Sequence, residues 1–377
     1  INKSWPQQGG YPNHVMGHLA LGKNLKQVWK SYIGDGGDRR FPLITQPVAS
    51  EDTVFTLDTS GKISAFALSD GKPRWRVKAV PRAEEDWGTT GGGLAYADGK
   101  LYVTSGYKQL LCLDAKTGKV IFRAATPSPA RSAPTVLNDK VYLVTLDNRL
   151  MVFSAADGTP SWTYAGIVSS TNLLGSVSPA VDTSAVILPL SSGEIYALRL
   201  ENGQVVWEDN LAAVQHTSPL SSISDIRGQP VIDQGIVYAV SYSGRMVALD
   251  EVSGQRIWQR EIGSAEMPWA AGNTVFVITS DQQLTALSRQ TGDIYWVTQL
   301  PRFEKDDKEK PIVLTGPILA GGRLILGSNN GWMMEVDPVN GKILKQTPVF
   351  GGVQVPPLVV DGTLIFLTER GSLIAFR

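Results

Sequence analysis

Apolar and polar residues alternate in short runs along most of the chain, and turn residues separate the runs at steady intervals. TVFTLDTSGKISAFALSDGKPRWRV (residues 53–77) reads as strand, turn at Ser60-Gly61, strand, turn at Asp70-Gly71, strand. Alternation with period two predicts half-buried β-strands. Glycine suits the corners because tight hairpins need a positive φ, which costs little without a Cβ. GIVYAVSYSGRMVALDEVSGQRIWQREI (235–262) has the same layout, with turns at Ser243-Gly244 and Ser253-Gly254. A fourth strand fits before the first of these strands or after the tryptophan, so each unit reads as a short antiparallel meander.

The units repeat. A glycine is followed four places on by an aromatic residue at Gly71/Trp75, Gly118/Phe122, Gly158/Trp162, Gly203/Trp207, Gly254/Trp258 and Gly292/Trp296, while a seventh copy, Gly341/Lys345, lacks the aromatic. Stepping back 24 residues from these glycines lands on Pro47, Pro134, Pro179, Pro230, Pro268 and Pro317, with Leu94 as the exception. An eighth start at Pro357 meets the chain end at Arg377 before its own glycine and tryptophan appear.

Eight starts in 377 residues give about 47 per unit, in the range of four-stranded propeller blades. Sheets this small cannot bury their own faces and must stack on neighbours, and radial closure leaves only short edges open. The expectation is an all-β fold, one eight-bladed β-propeller domain over residues 1–377, with blade starts near 47, 94, 134, 179, 230, 268, 317 and 357. The truncated last unit takes its outer strand from NLKQVWKSYI (24–33), with Trp29, so the N- and C-terminal strands close the ring together. One tryptophan per blade then repeats a single contact around the ring. Regular spacing is what a packing rule produces, and these indoles read as scaffold.

Composition narrows the function. Lysine plus arginine (35) balance aspartate plus glutamate (35), so no basic surface awaits nucleic acid or anionic lipid. The single cysteine, Cys112, excludes an internal disulfide framework and a multi-cysteine zinc site. His14 and His18 are four apart, but GGYPNHVMGHLALG is too rich in helix breakers to present them on one helix face, and they read as loop histidines. No Gly-x-Ser-x-Gly occurs. WGTTGGG (87–93) lacks the ending of a phosphate loop and reads as an inter-blade crossing, and FEKDDKEK (303–310) reads as a solvated loop between the sixth and seventh blades. The expected cofactor and metal complement is none. A blade edge is also a place where an extended peptide can add a strand, if its outer strand lacks lysine or proline guards.

ALDEVSGQRIW (248–258), an Ala-x-Asp-x-x-x-Gly-x-x-x-Trp pattern, resembles the repeat of pyrroloquinoline-quinone-type propellers, and degenerate copies cover nearly the whole chain. Residues 221–264 more narrowly resemble the BamB family, non-catalytic lipoprotein subunits of the bacterial outer-membrane barrel assembly machine. The resemblance implies a place at the periplasmic face of the outer membrane, an N-terminal lipid anchor whose acylated cysteine is not in this sequence, and a role in assisting insertion of unfolded barrel substrates. It also implies contact with the barrel subunit BamA through two loops. In SSTNLLGSVSP (169–179), Leu173 matches an apolar contact position and Leu174 stands where an arginine is usual. In SSISDIRGQP (221–230), Asp225 matches the first acid of an Asp-x-Asp pair and Arg227 replaces the second. The rival class is a quinone-dependent periplasmic dehydrogenase, which would need calcium held by six to eight converging oxygens; no carboxylate cluster recurs at inner-strand positions to supply them.

Overall fold

The structure, a computed structural model, describes all residues except 39, 79–91, 131, 167–176, 213–225 and 306–308. The described residues form eight antiparallel sheets, seven of four strands and one of five, arranged as the blades of a propeller. Inner strands begin at Val48, Thr135, Ala180, Val231, Trp269 and Leu358, each one residue after a punctuating proline. In the second and seventh blades they begin earlier, at Gly93 and Leu314. The last blade pairs the C-terminal strands Leu358–Val360, Thr363–Thr368 and Ser372–Phe376 with the N-terminal strand Gln27–Tyr32, which is its outer strand. Lys26 and Arg377 exchange two backbone hydrogen bonds of 2.8 and 3.0 Å and pin the two ends together.

The apolar core lies between blades. One cluster joins blade 1 to blade 2 through Phe55, Ile63, Leu94 and Leu111, and comparable clusters fill each following gap. The largest runs continuously from blade 6 through blades 7 and 8 back to blade 1.

The four-residue spacing from glycine to tryptophan has a physical cause. Every outer strand carries a register shift just before its aromatic station, so that residues 256 and 257, for example, oppose Leu249 while Trp258 opposes Ala248. The extra residue turns the tryptophan out of its own sheet toward the next blade. There it covers the glycine of the following turn and bonds that turn's backbone. The Trp258 ring lies over Gly292, whose φ is 69° and where a Cβ would stand 2.6 Å from a ring carbon, and its N–H donates to the Arg289 carbonyl at 2.9 Å. Trp207 repeats this on Gly254 and Glu251, and Trp29 carries it across the closure onto Gly71 and Leu68. The alanine of the motif leaves room beside the indole, and the aspartate caps the turn, Asp250 accepting from the Ser253 N–H and hydroxyl at 2.8 and 2.7 Å. Phe122 holds the station over Gly158 without a donor.

Lys345 breaks the series because nothing awaits it. The station it occupies faces blade 8, whose outer strand Gln27–Tyr32 comes from the other end of the chain and not by a hairpin from Ser372–Phe376, so the turn glycine that each other indole covers has no counterpart beside it among the described residues. In the same blade Glu335, opposite Lys345, replaces the small residue of the motif and is buried in an ion pair with Arg323.

The segment before the first outer strand, which carries the two loop histidines, follows a defined course. Residues 1–19 run along the inner strands of the ring in order. The Asn2 carbonyl accepts from Asp361 in blade 8, and Ser4–Trp5 pairs with Val48–Ser50 in blade 1. Pro6 and Gln7 bond Tyr96 in blade 2 and Val136 in blade 3; Pro12 and Asn13 bond Val181 in blade 4 and Ile232 in blade 5. Gly17 accepts from the Trp269 indole in blade 6, and Leu19 pairs with Ala320 in blade 7. The segment is therefore a hoop that touches all eight blades. His14 is accordingly buried: its Nδ1–H donates to the Pro230 carbonyl at 2.6 Å. His18 stays exposed and accepts from the Gly322 N–H.

Candidate functional site: the inter-blade loop face and its axial mouth

The described crossings from an outer strand to the next inner strand lie on one face of the propeller, because four successive antiparallel strands of a blade return the chain to the end where it entered, and the hoop occupies the opposite end of the inner strands, beside their first hairpin turns. The two loops singled out from the sequence, 169–179 and 221–230, lie largely outside the described residues. Leu173, Leu174 and Asp225 lie outside the described residues. Arg227 is described, half-buried at the start of blade 5.

Arg227 lines a cavity of about 130 Å³ at the propeller axis, together with Gln8 of the hoop, Gln229, Glu266, Met267 and Gln354. Glu266 accepts from the Thr315 hydroxyl and the Gly316 N–H, both at 2.9 Å. Burial lifts its carboxyl to about 7, while those two hydrogen bonds and the charge of Arg227 pull the other way. Deeper along the axis, Trp5 and Trp269 stack at 6.2 Å. They border a second cavity of about 40 Å³, onto which Gln229 also faces. Trp5 Nε1 and Gln229 Oε1 are buried without a partner among the described residues. The space is mostly apolar, and these two atoms are the polar groups in it that a water molecule can reach.

The loop-based reading reached Arg227 but missed Glu266 and the hoop beneath it. The available signal was aromatic: Trp5 and Trp269 stand off the repeat grid, and a tryptophan not used for blade locking is free to line the axis.

The acid response of this region has opposing contributions. Burial lowers the His14 pKa from 6.5 to about 4. Since the folded value lies below the unfolded one, the stability carried by the neutral ring is complete above pH 6.5 and is lost as pH falls toward 4. Glu266 has the opposite sign: raised from 4.5 to about 7, it contributes fully below pH 4.5 and loses that contribution as pH rises through 7. His14→Asn, whose side chain tolerates the φ of 64° at this position, should therefore make the urea midpoint climb more steeply between pH 6.5 and 4.5 than in the parent protein. An unchanged slope would mean that His14 protonates freely in the folded state.

The sequence profile of the family described as outer membrane protein assembly factor BamB matches residues 62–298, more than half of the 377. The chain belongs to the BamB family. BamB of Yersinia pestis is 27% identical over 356 residues, which are 93% of this chain and 88% of that protein. The crystal structure of BamB from Moraxella catarrhalis superposes with a TM-score of 0.76 at 22% identity, covering 94% of this chain and 98% of that one. A quinohemoprotein alcohol dehydrogenase from Pseudomonas putida HK5 gives the same TM-score, 0.76, at 11% identity over all of this chain and 80% of that one. The propeller is thus shared with quinone enzymes, whereas the BamB profile spans both loops, 169–179 and 221–230.

Proposed function

We propose that this protein is a non-catalytic scaffold of the outer-membrane protein assembly complex, seated at the periplasmic face of the outer membrane and lipid-anchored in its full-length precursor, which holds the barrel subunit BamA through the inter-blade loop face. The observation that carries this is the BamB profile match across residues 62–298. Its mechanism is positioning. A ring locked by interblade indoles and lined by a hoop keeps blades 4 and 5, which the two loops precede, in fixed relation, and a few central side chains dominate the energy of such an interface. Leu173 and Leu174 supply apolar contact, and Asp225 and Arg227 supply charge that fixes register.

The axial chemistry favours this reading over the quinone dehydrogenase. A calcium site needs several oxygens converging on one point. Among the described residues the axial wall offers one carboxylate, Glu266, already bonded to Thr315 and Gly316, beside the guanidinium-bearing Arg227, whose charge repels a divalent cation. Cys112, the only cysteine, is buried in the second blade and has no adjacent partner to pair with over a quinone.

Charge reversal at Asp225 and Arg227 together is expected to weaken capture of the BamA periplasmic domains at least about tenfold without lowering the melting temperature. Undiminished capture would remove both residues from the contact.

A further inference from the structure

Each blade ends in an outer strand whose far edge has no strand beside it among the described residues. Such an edge offers a row of backbone donors and acceptors to any extended chain, and proteins blunt it with charge, above all lysine, or with proline. Seven of the eight outer strands are blunted. Gln27–Tyr32 has Lys30, Pro73–Lys78 has a proline, two arginines and a lysine, and Val120–Ala125 has Arg123. Pro160–Ala165 opens on proline, Val205–Asn210 carries Glu208 and Asp209, Arg256–Arg260 has an arginine at each end, and Ile343–Pro348 has Lys345 and Pro348.

The outer strand of blade 6, Ile294–Gln299 (IYWVTQ), has neither charge nor proline. It also exposes three large apolar side chains, Ile294 at 51%, Tyr295 at 52% and Val297 at 47%, more than any other outer strand. The nearest charges along the chain are engaged elsewhere, Asp293 with Arg260 at 2.9 Å and Arg302 with Asp281 at 3.7 Å. The strand is held as a ready template: the Trp296 indole donates to the Pro338 carbonyl at 3.1 Å, and the Thr298 hydroxyl donates to the Gly341 carbonyl at 2.7 Å.

We propose that the outer edge of blade 6 accepts an extended, uncharged segment of alternating apolar and polar residues as a fifth strand. Main-chain hydrogen bonds give such a contact its affinity, and alternate side chains give it its preference. The strand itself carries no charge to meet a charged residue laid opposite Tyr295 or Val297, so uncharged segments are favoured. A second copy of the protein is disfavoured by area. Six residues span about 20 Å, and one strand edge of that length covers well short of the roughly 800 Å² per partner of a standard specific interface. The edge suits a transient hold on a flexible chain. Identifying that chain with an unfolded membrane-barrel strand, whose sequence alternates in this way, rests on the proposed scaffold function; the edge itself does not.

The test uses the full chain and a short fluorescein-labelled peptide alternating Val or Tyr with Ser or Thr. Anisotropy titration should show saturable binding, with amide exchange slowed across residues 294–299. Val297→Lys and Tyr295→Lys, both at exposed positions that leave the fold intact, should each raise the Kd at least about tenfold. Val206→Lys, on the already acidic outer strand of blade 4, should leave it unchanged. Binding that ignores both blade 6 variants, protection on another blade, or a protein dimer that Val297→Lys dissolves would overturn the assignment. Capture of BamA by Val297→Lys should match the parent, and the Asp225/Arg227 reversal should leave peptide binding intact, so the two readings fail independently.

Discussion

Trp258→Ala will destabilise the fold by about 3–5 kcal/mol, the cost of emptying a buried large-aromatic site. The ring is 6% exposed and covers the turn glycine of the next blade. Its removal opens a gap between blades 5 and 6 and strips the Arg289 carbonyl of its indole donor. Trp258→Phe separates the two contributions. The second blade already carries Phe122 at the equivalent station, so the packing is compatible, and the loss should shrink toward that of one hydrogen bond, about 0.5–1.5 kcal/mol. Gly292→Ala should cost a similar amount for a complementary reason, since its Cβ would meet the Trp258 ring at 2.6 Å and its φ of 69° disfavours any Cβ. In the double variant the clash disappears while the backbone strain persists, so the two losses should sum to less than their separate values. Urea unfolding followed by far-ultraviolet circular dichroism reads all four proteins. A Trp258→Ala loss under about 1 kcal/mol would mean that the indoles decorate the interblade seams and do not lock them.

This locking is also why the fold was legible in the sequence. A contact made once per blade must reappear at a constant offset, and the offset from glycine to tryptophan encodes the turn, the bulge and the residue that crosses to the next sheet. The closure was readable for the same reason, because Trp29 sits in a strand with no glycine of its own and the last unit lacks an outer strand. The hoop was not readable. It touches the blades through backbone groups and single side chains at uneven intervals, so no period marks it, and its glycines and prolines read as loop. The proposed partner surface rests only on the BamB resemblance of two crossings, and of its four residues Arg227 alone lies among the described ones. The axial carboxylate Glu266 gave no signal, since what distinguishes it is burial beside the hoop, which is a property of the folded ring.

Blade 7 shows what happens where the repeat has no work for its tryptophan. The space is taken by the ion pair of Arg323 and Glu335, both almost fully buried. Arg323 also donates to the carbonyls of Gly22 and Gly321, at 2.7 and 3.1 Å, and so ties the exit of the hoop to the first hairpin turn of the blade. Two ions withdrawn from water are costly, and their attraction repays that cost only if the remaining polar atoms are satisfied. Here they are not, because Glu335 Oε1 is buried without a partner among the described residues. Removing one member should therefore be far worse than removing both. Arg323→Met alone leaves a buried carboxylate without its counter-ion and should lower stability by about 3–5 kcal/mol. Adding Glu335→Leu replaces the pair by apolar groups and should recover most of that loss, leaving chiefly the cost of freeing the Gly22 carbonyl, about 1–3 kcal/mol. The readout is again the urea midpoint, with proteolysis near residues 20–26 reporting whether the hoop has come loose. If Arg323→Met and the double variant are equally unstable, the arginine acts through its grip on the hoop, and the ion pair contributes nothing of its own.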